Sequence, residues 1–264
     1  MSKFGRMGRM SYKDYHGLEA ELYDVLRGGD EMDEIGLYSN MASEKGGTCL
    51  DVGCGTGRVL IPLAQQGIDI MGLDSSQVMV EECRSRISAA GLSAEIVRDD
   101  MRNFDLGRQF NLVIVPGASF QLLDARADAM SSLERMRAHL LPGGLLLMSL
   151  FTPYYEIINE SLDGVWRLEK DEPFGDGGQR ALCHVCSELD RCEQLMETRH
   201  RFEVIDGGGT TLNSEMKLSR LRWYGKYELD LLLTSAGFNS VEILGDFGDD
   251  EAGDGHTAMA VFAT

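Results

Sequence analysis

Residues 49–60 read CLDVGCGTGRVL, and the fold follows from how that stretch divides. Cys49, Leu50 and Val52 form a short apolar run with strand character, and Gly53, Gly55 and Gly57 then occupy alternate positions. From Arg58 onward, Val59, Leu60, Leu63 and Ala64 recur at three- and four-residue spacings, the period of a helix. A strand feeding a glycine-rich turn that opens a helix lets a ligand lie against bare backbone at the positive end of that helix. Asp51 sits inside the strand end, where a buried carboxylate requires a partner. Taken alone, the stretch also fits an ordinary tight turn, because the chain holds 31 glycines.

Outward from this turn, strand-like and helix-like patterns alternate. Strands are expected at 48–53, 68–73, 94–97, 110–115 and 145–151, with helices at 57–66, 76–90 and 125–140 between them. Such alternation signals a parallel sheet with helices on both faces, and LVIV and LLLMSL are continuous enough to be buried on both sides. Upstream, 12–27 carries aromatic and apolar residues at helical spacing, and a second helix is expected over about 32–43. Downstream, 163–222 loses the helical period, and its turn signals predict three or four antiparallel strands. A helix at about 226–236 and strands at 240–244 and 257–262 close the chain around an acidic loop, GDFGDDEAGDG.

The whole chain has 264 residues, enough for one large domain or one with a substantial insertion. Its formal charge is −18, from 43 acidic against 25 basic residues, which opposes binding to nucleic acid or an anionic membrane. No run of eighteen apolar residues is present, the start lacks the apolar core of a secretory signal, and six cysteines without such a signal fit reduced thiols. A cytoplasmic protein is expected, with neither nucleic acid nor membrane as partner.

The glycine pattern is GxGxG. Arg58 stands where the dinucleotide pattern GxGxxG has its third glycine, which disfavours a nicotinamide cofactor. Asp74 ends the second strand, 21 residues after Gly53, where a carboxylate can accept both hydroxyls of a ribose. Asp99, Asp100 and Met101 follow the third strand at the same edge, where a carboxylate and a backbone amide can read an adenine edge. Each acid singly also fits a helix cap or solvated loop, but three at consecutive strand tips point to one nucleoside.

LDVGCGTGRVLIPLA, MGLDSSQVM, DDMRNFDL, FNLVIVPGASFQLL and LLPGGLLLMSLF together resemble a class I S-adenosylmethionine-dependent methyltransferase. The similarity is to small-molecule enzymes related to amino-sugar N,N-dimethyltransferases and glycine-type N-methyltransferases, and extends from about Leu22 to the C-terminus. It implies a Rossmann-like seven-stranded sheet with a reversed last strand. It also implies four segments: a helical cap at 1–47, a cofactor core at 48–162, an antiparallel lid or dimer surface at 163–222, and a returning core segment at 223–264. S-adenosylmethionine is the cofactor it implies. Gly53, Gly55 and Gly57 would admit the methionine part, with Asp51 supporting its amino group. Asp74 would hold the ribose, with Ser75 or Met79 near the adenine. Asp100 and Met101 would read the adenine edge, Val115 and Pro116 would line the floor, and Tyr23, Cys54 and Arg58 would complete the surround.

Methyl transfer depends mainly on alignment, and a base is needed only where the acceptor must lose a proton. The resemblance places His16 and Tyr15 on a helix folding over the cofactor, with His16 the candidate base. Ser119, Phe120, Gln121, Tyr154, Tyr155, Trp166, Arg222 and Tyr224 are the expected acceptor contacts. His139, before Pro142 and Gly143, reads better as a group at a helix end. In CHVCSELDRC, an expected strand puts Cys183 and Cys186 on opposite faces, so no metal is expected. The sequence favours methylation of a small amine by a monomer or homodimer. O- or S-methylation, or a non-catalytic regulatory protein binding the same cofactor, are the alternatives.

Overall fold

The computed structural model describes residues 17–27 and 34–264. These divide into two compact units. The larger runs up to Tyr154 and resumes at Trp223; the smaller holds the helix Gly17–Arg27 and residues Tyr155–Arg222. The first helix thus groups with the insertion, and the divisions fall at 154/155 and 222/223, where the sequence suggested 162/163 and 222/223.

In the larger unit, α2 (Glu34–Lys45) precedes β1 (Thr48–Val52), α3 (Leu60–Gln65), β2 (Asp69–Asp74), α4 (Gln77–Ala89), β3 (Glu95–Arg98) and β4 (Phe110–Val115). Then come α5 (Arg126–Ala138), β5 (Leu140–Phe151), and, after the smaller unit, α7 (Lys226–Ser235), β10 (Val241–Gly245) and β11 (Ala258–Ala263). The seven strands lie in the order β10-β11-β5-β4-β1-β2-β3. β11 runs antiparallel to both neighbours, and the other pairings are parallel.

Two apolar layers cover the sheet. One face carries Leu50, Val52, Val113, Val115 and Met148 against Leu133 and Met136 of α5 and Leu229 and Leu233 of α7. The other carries Cys49, Leu112, Ile114 and Leu147 against Tyr38 of α2, Leu60 and Leu63 of α3, and Val80 and Cys83 of α4. Alternate residues of one strand therefore feed opposite layers, which is why these strands read as unbroken apolar runs. The first helix of the motif starts later than its apolar spacing suggests, at Leu60, because Gly55 and Gly57 take positive φ and the chain turns once more before regular bonding begins.

In the smaller unit, α1 (Gly17–Arg27) packs Leu18, Leu22 and Leu26 onto a four-stranded antiparallel sheet. Its strands are β6 (Arg167–Phe174), β7 (Gln179–Asp190), β8 (Leu195–Ile205) and β9 (Thr211–Arg222), in sequence order. A short helix, α6 (Tyr154–Ile158), begins at the division between the units. Arg191 fastens its end, donating to Glu156 O and Ile157 O at 2.9 Å each and bridging Asp163 at 3.0 and 3.1 Å. Among the described residues, no helix is long and apolar enough to cross a membrane.

Candidate active site

The glycine loop is pinned to the tip of β2. Gly53 and Cys54 donate to Leu73 O at 2.7 and 3.0 Å, and Gly55 donates to Asp74 Oδ2 at 2.9 Å. The other oxygen of Asp74 accepts from Ser76 N at 2.8 Å, just where Ser76 caps α4. Asp74 is therefore both the acid at the strand tip and the anchor of the loop.

Gly53 has φ +78°, and a side chain there would bring its first carbon within 2.9 Å of Ser119 Cβ and Oγ. Met101 Cε lies 3.8 Å from the same point. Ser119 and Met101, read from two other motifs, thus pack closely against the Gly53 backbone. Ser119 is held by its hydroxyl donating to Pro116 O at 2.8 Å.

Asp51 is fully buried, and neither of its carboxylate oxygens has a hydrogen-bond partner. Burial, then Cys83, Asp74 and Glu34, push its carboxyl well above the usual carboxylate value, and Arg58 only partly offsets them. An acid so placed calls for a proton or a cation.

A second buried acid belongs to the same site and was not legible as a functional residue. Glu34, 7% exposed, accepts from Gly117 N at 2.8 Å, from the Ser149 hydroxyl and from Arg58 Nη2. Tyr38 OH adds a long contact at 3.5 Å. Burial would raise this carboxyl, but Arg58, Ser149 and Gly117 outweigh it and hold it below its ordinary value. Arg58, expected beside the cofactor, is thus ion-paired to α2. Glu34, Tyr38 and Ala42 are the buried residues of α2 and sit at four-residue spacing, a signal that could have found the acid.

Other expected positions are occupied differently. Asp100 is gripped by Arg102, which donates Nε to Oδ1 at 2.8 Å and Nη2 to Oδ2 at 2.5 Å and also reaches Asp128. Arg102 N donates to Oδ1 as well, at 3.0 Å, and Arg102 is a contact the sequence reading missed. Ser75 accepts from Arg98 Nε through its carbonyl, and Met79 and Val115 are buried core residues. Cys54 is buried, with its thiol 3.9 Å from Gly55 O.

Among the expected acceptor contacts, Phe120 and Gln121 are both fully buried. Phe120 packs beside Tyr224, ring centres 5.5 Å apart, and Gln121 clasps Phe151 by accepting from its N at 2.6 Å and donating to its O at 2.9 Å. These side chains fix the β4 and β5 tips. Tyr154 remains half-buried in the larger unit. Tyr23, Tyr155, Trp166 and Arg222 belong to the smaller unit. Tyr155 is exposed there, Trp166 lies under Arg201 with 5.5 Å from guanidinium to ring centre, and buried Arg222 donates to Glu193 O at 2.7 Å. Tyr15 and His16 lie outside the described residues.

His139 ends α5, with Nδ1 2.8 Å from Arg135 O and Nε2 accepting from Leu106 N at 3.0 Å. That arrangement makes His139 a structural residue at the helix end. Cys183 and Cys186 lie on β7 three residues apart, hence on opposite faces, and no metal-ligating cluster occurs among the described residues.

A sheet of this order, with one reversed strand and a glycine loop between acids on β1 and β2, defines the class I methyltransferase fold. A family model described as "Methyltransferase domain" matches residues 49–144. The dTDP-3-amino-3,6-dideoxy-alpha-D-glucopyranose N,N-dimethyltransferase of Streptomyces fradiae is 35% identical over 207 residues, covering 73% of this chain and 80% of that protein. In fold, the chain is similar to the CcbJ methyltransferase of Streptomyces caelestis (TM-score 0.78, 22% identity, 97% and 98% of the two chains). It is also similar to CalS10 of Micromonospora echinaspora, an amino pentose methyltransferase solved with S-adenosylmethionine (TM-score 0.72, 22% identity, 94% and 97%). The chain belongs to the S-adenosylmethionine-dependent methyltransferases, and S-adenosylmethionine is its cofactor. The orphaned carboxylate of Asp51 suits a ligand with an ammonium group.

Proposed function

We propose that this methyltransferase acts on an amine of a small-molecule acceptor, with deoxyamino sugars carried on a nucleotide as the first class to try. One observation carries the reading: 35% identity over 80% of the length of a sugar N,N-dimethyltransferase. When bound, S-adenosylmethionine supplies an electrophilic methyl on a sulfonium, whose departure needs no acid. The chain's task is then to bind, align and exclude water.

In this reading the bare backbone at Gly53, Gly55 and Gly57 receives the amino-acid chain, Asp51 gives its ammonium an opposing charge, and Asp74 accepts from the ribose. Met101 and Ser119 lie beside Gly53. An amine attacks only in its neutral form, so a base or solvent must take its proton, and His16 and Tyr15 are the residues proposed for that step.

The test is a panel of amino-sugar nucleotides, simple amines, hydroxyl acceptors and thiols, scored by S-adenosylhomocysteine release and by the mass of the methylated product. Methylation confined to hydroxyl or thiol acceptors would overturn the amine reading. Calorimetric binding of both cofactor forms with no turnover on any panel member would favour a regulatory protein.

A further inference from the structure

The larger unit contains a buried acid that the cofactor reading does not use. Glu34 on α2 turns its Oε1 toward two segments distant in sequence, accepting from Gly117 N at 2.8 Å and from the Ser149 hydroxyl. Gly117 N is shared, because it also donates to Ser149 Oγ at 2.9 Å. Glu34, Ser149 and Gly117 thus close a ring of hydrogen bonds that joins α2, β5 and the turn after β4.

The backbone of that turn is strained. Gly117 has φ +63° and Ala118 φ +62°, so two successive residues are left-handed and the second carries a Cβ. Alanine bears a steric penalty in this conformation, which persists only where the surroundings over-determine it. Here Gly117 N is held by Glu34 and Ser149 on one side, and Gln121 N donates to Ala118 O at 2.9 Å on the other. The residue that the turn delivers is Ser119. Its Cβ and Oγ lie 2.9 Å from the point where a Cβ at Gly53 would stand, and its hydroxyl donates back to Pro116 O at 2.8 Å. A carboxylate on α2 therefore bears, through Gly117 and Ala118, on how closely Ser119 approaches the glycine loop.

We propose that Glu34 is a positioning residue: from α2 it holds the turn at 116–119 in its left-handed course and so sets the spacing between Ser119 and Gly53. With the cofactor against Gly53 and Ser119 an expected acceptor contact, this spacing is the one between the donor and acceptor sides of the reaction. That consequence rests on the placement of the cofactor proposed above.

The experiment is a set of double-mutant cycles read by urea unfolding. Gly53→Ala drives a methyl against Ser119, and Glu34→Ala or Ser149→Ala frees the turn behind it. The fall in the folding constant caused by G53A should be smaller by about threefold or more in E34A and in S149A than in the unsubstituted chain. Should E34A not fold, S149A carries the cycle alone. In a Ser119→Gly background the clashing atoms are gone, and the same substitutions should become additive. Additive losses with Ser119 present, or coupling that survives S119G, would overturn the proposal. Calorimetric titration of the same chains with S-adenosylhomocysteine separates the two assignments. Binding should weaken in G53A and be partly regained in G53A/S149A. If G53A leaves affinity unchanged, the placement of the cofactor against Gly53 fails, and the unfolding cycles still decide the role of Glu34.

Discussion

The backbone N–H of Gly55 donates to Asp74 Oδ2 at 2.9 Å, so the acid at the tip of β2 also holds the loop that follows β1. Ser76 N takes the other oxygen at 2.8 Å. The carboxylate is fixed by two amides before any ligand arrives, which orients its remaining lone pairs.

Asp74→Ala should therefore weaken cofactor binding by about 1–3 kcal/mol through lost charge-assisted hydrogen bonds. It should also lower the melting temperature without ligand, since Gly55 N and Ser76 N lose their acceptor. Calorimetry with S-adenosylhomocysteine and thermal unfolding read the two effects separately. Unchanged affinity with a lowered melting temperature would leave Asp74 as a loop anchor alone.

Gly53→Ala tests the close approach of Ser119 to the glycine loop. A non-glycine residue at φ +78° bears about 1–2 kcal/mol of backbone strain, and the new methyl carbon would stand 2.9 Å from Ser119. The variant should lose stability and cofactor affinity together. Adding Ser119→Gly removes the obstructing atoms but not the strain, so affinity should return in part and stability should stay low. Full recovery of both would mean that crowding alone accounts for the glycine.

Gln121→Leu tests whether an expected acceptor contact serves the fold. The side chain is fully buried and both its amide atoms bond the backbone of Phe151. Leucine is similar in size but leaves that N–H and carbonyl without partners, a loss of about 1–3 kcal/mol. Thermal unfolding should fall by several degrees. A variant with unaltered stability and a raised KM for the acceptor alone would return Gln121 to the substrate surface.

The sheet and its order were legible because each core strand feeds two apolar layers, so Leu112–Val115 and Leu145–Leu150 could not alternate with polar residues. The glycine loop was legible because positive φ and close packing leave no other residue at Gly53. The engagements of charged side chains were not. Arg102 grips Asp100 from two residues away, and Arg58 reaches across 24 positions to Glu34. Neither pairing follows from periodicity, which reports faces and not partners. The sequence reading gave Glu34 no role, and its burial shows only in the structure, where Tyr38 and Ala42 share its buried face.

The Asp51 carboxyl also governs how stability depends on pH. Its folded value stands well above the ordinary 3.8, chiefly because the charged form is buried. Above that ordinary value the unfolded chain has released the proton while the folded chain still holds it. Each further pH unit then removes about 1.4 kcal/mol of stability, until the folded carboxyl ionises too. Glu34 runs the other way: its folded value lies below 4.5, so its contribution is present above that value and is lost as pH falls through the folded value. Asp51→Asn deletes only the first of these effects. The melting temperature of D51N relative to the unsubstituted chain should accordingly be lowest near pH 4 and climb with pH, levelling off once Asp51 ionises in the folded state. Saturating S-adenosylhomocysteine should shrink that difference at the high end, because its ammonium stabilises the ionised carboxylate of the unsubstituted chain only. Thermal unfolding of both chains from pH 4 to 9, with and without ligand, measures the slope. A difference that is flat across that range would mean that Asp51 is ionised in the folded chain throughout.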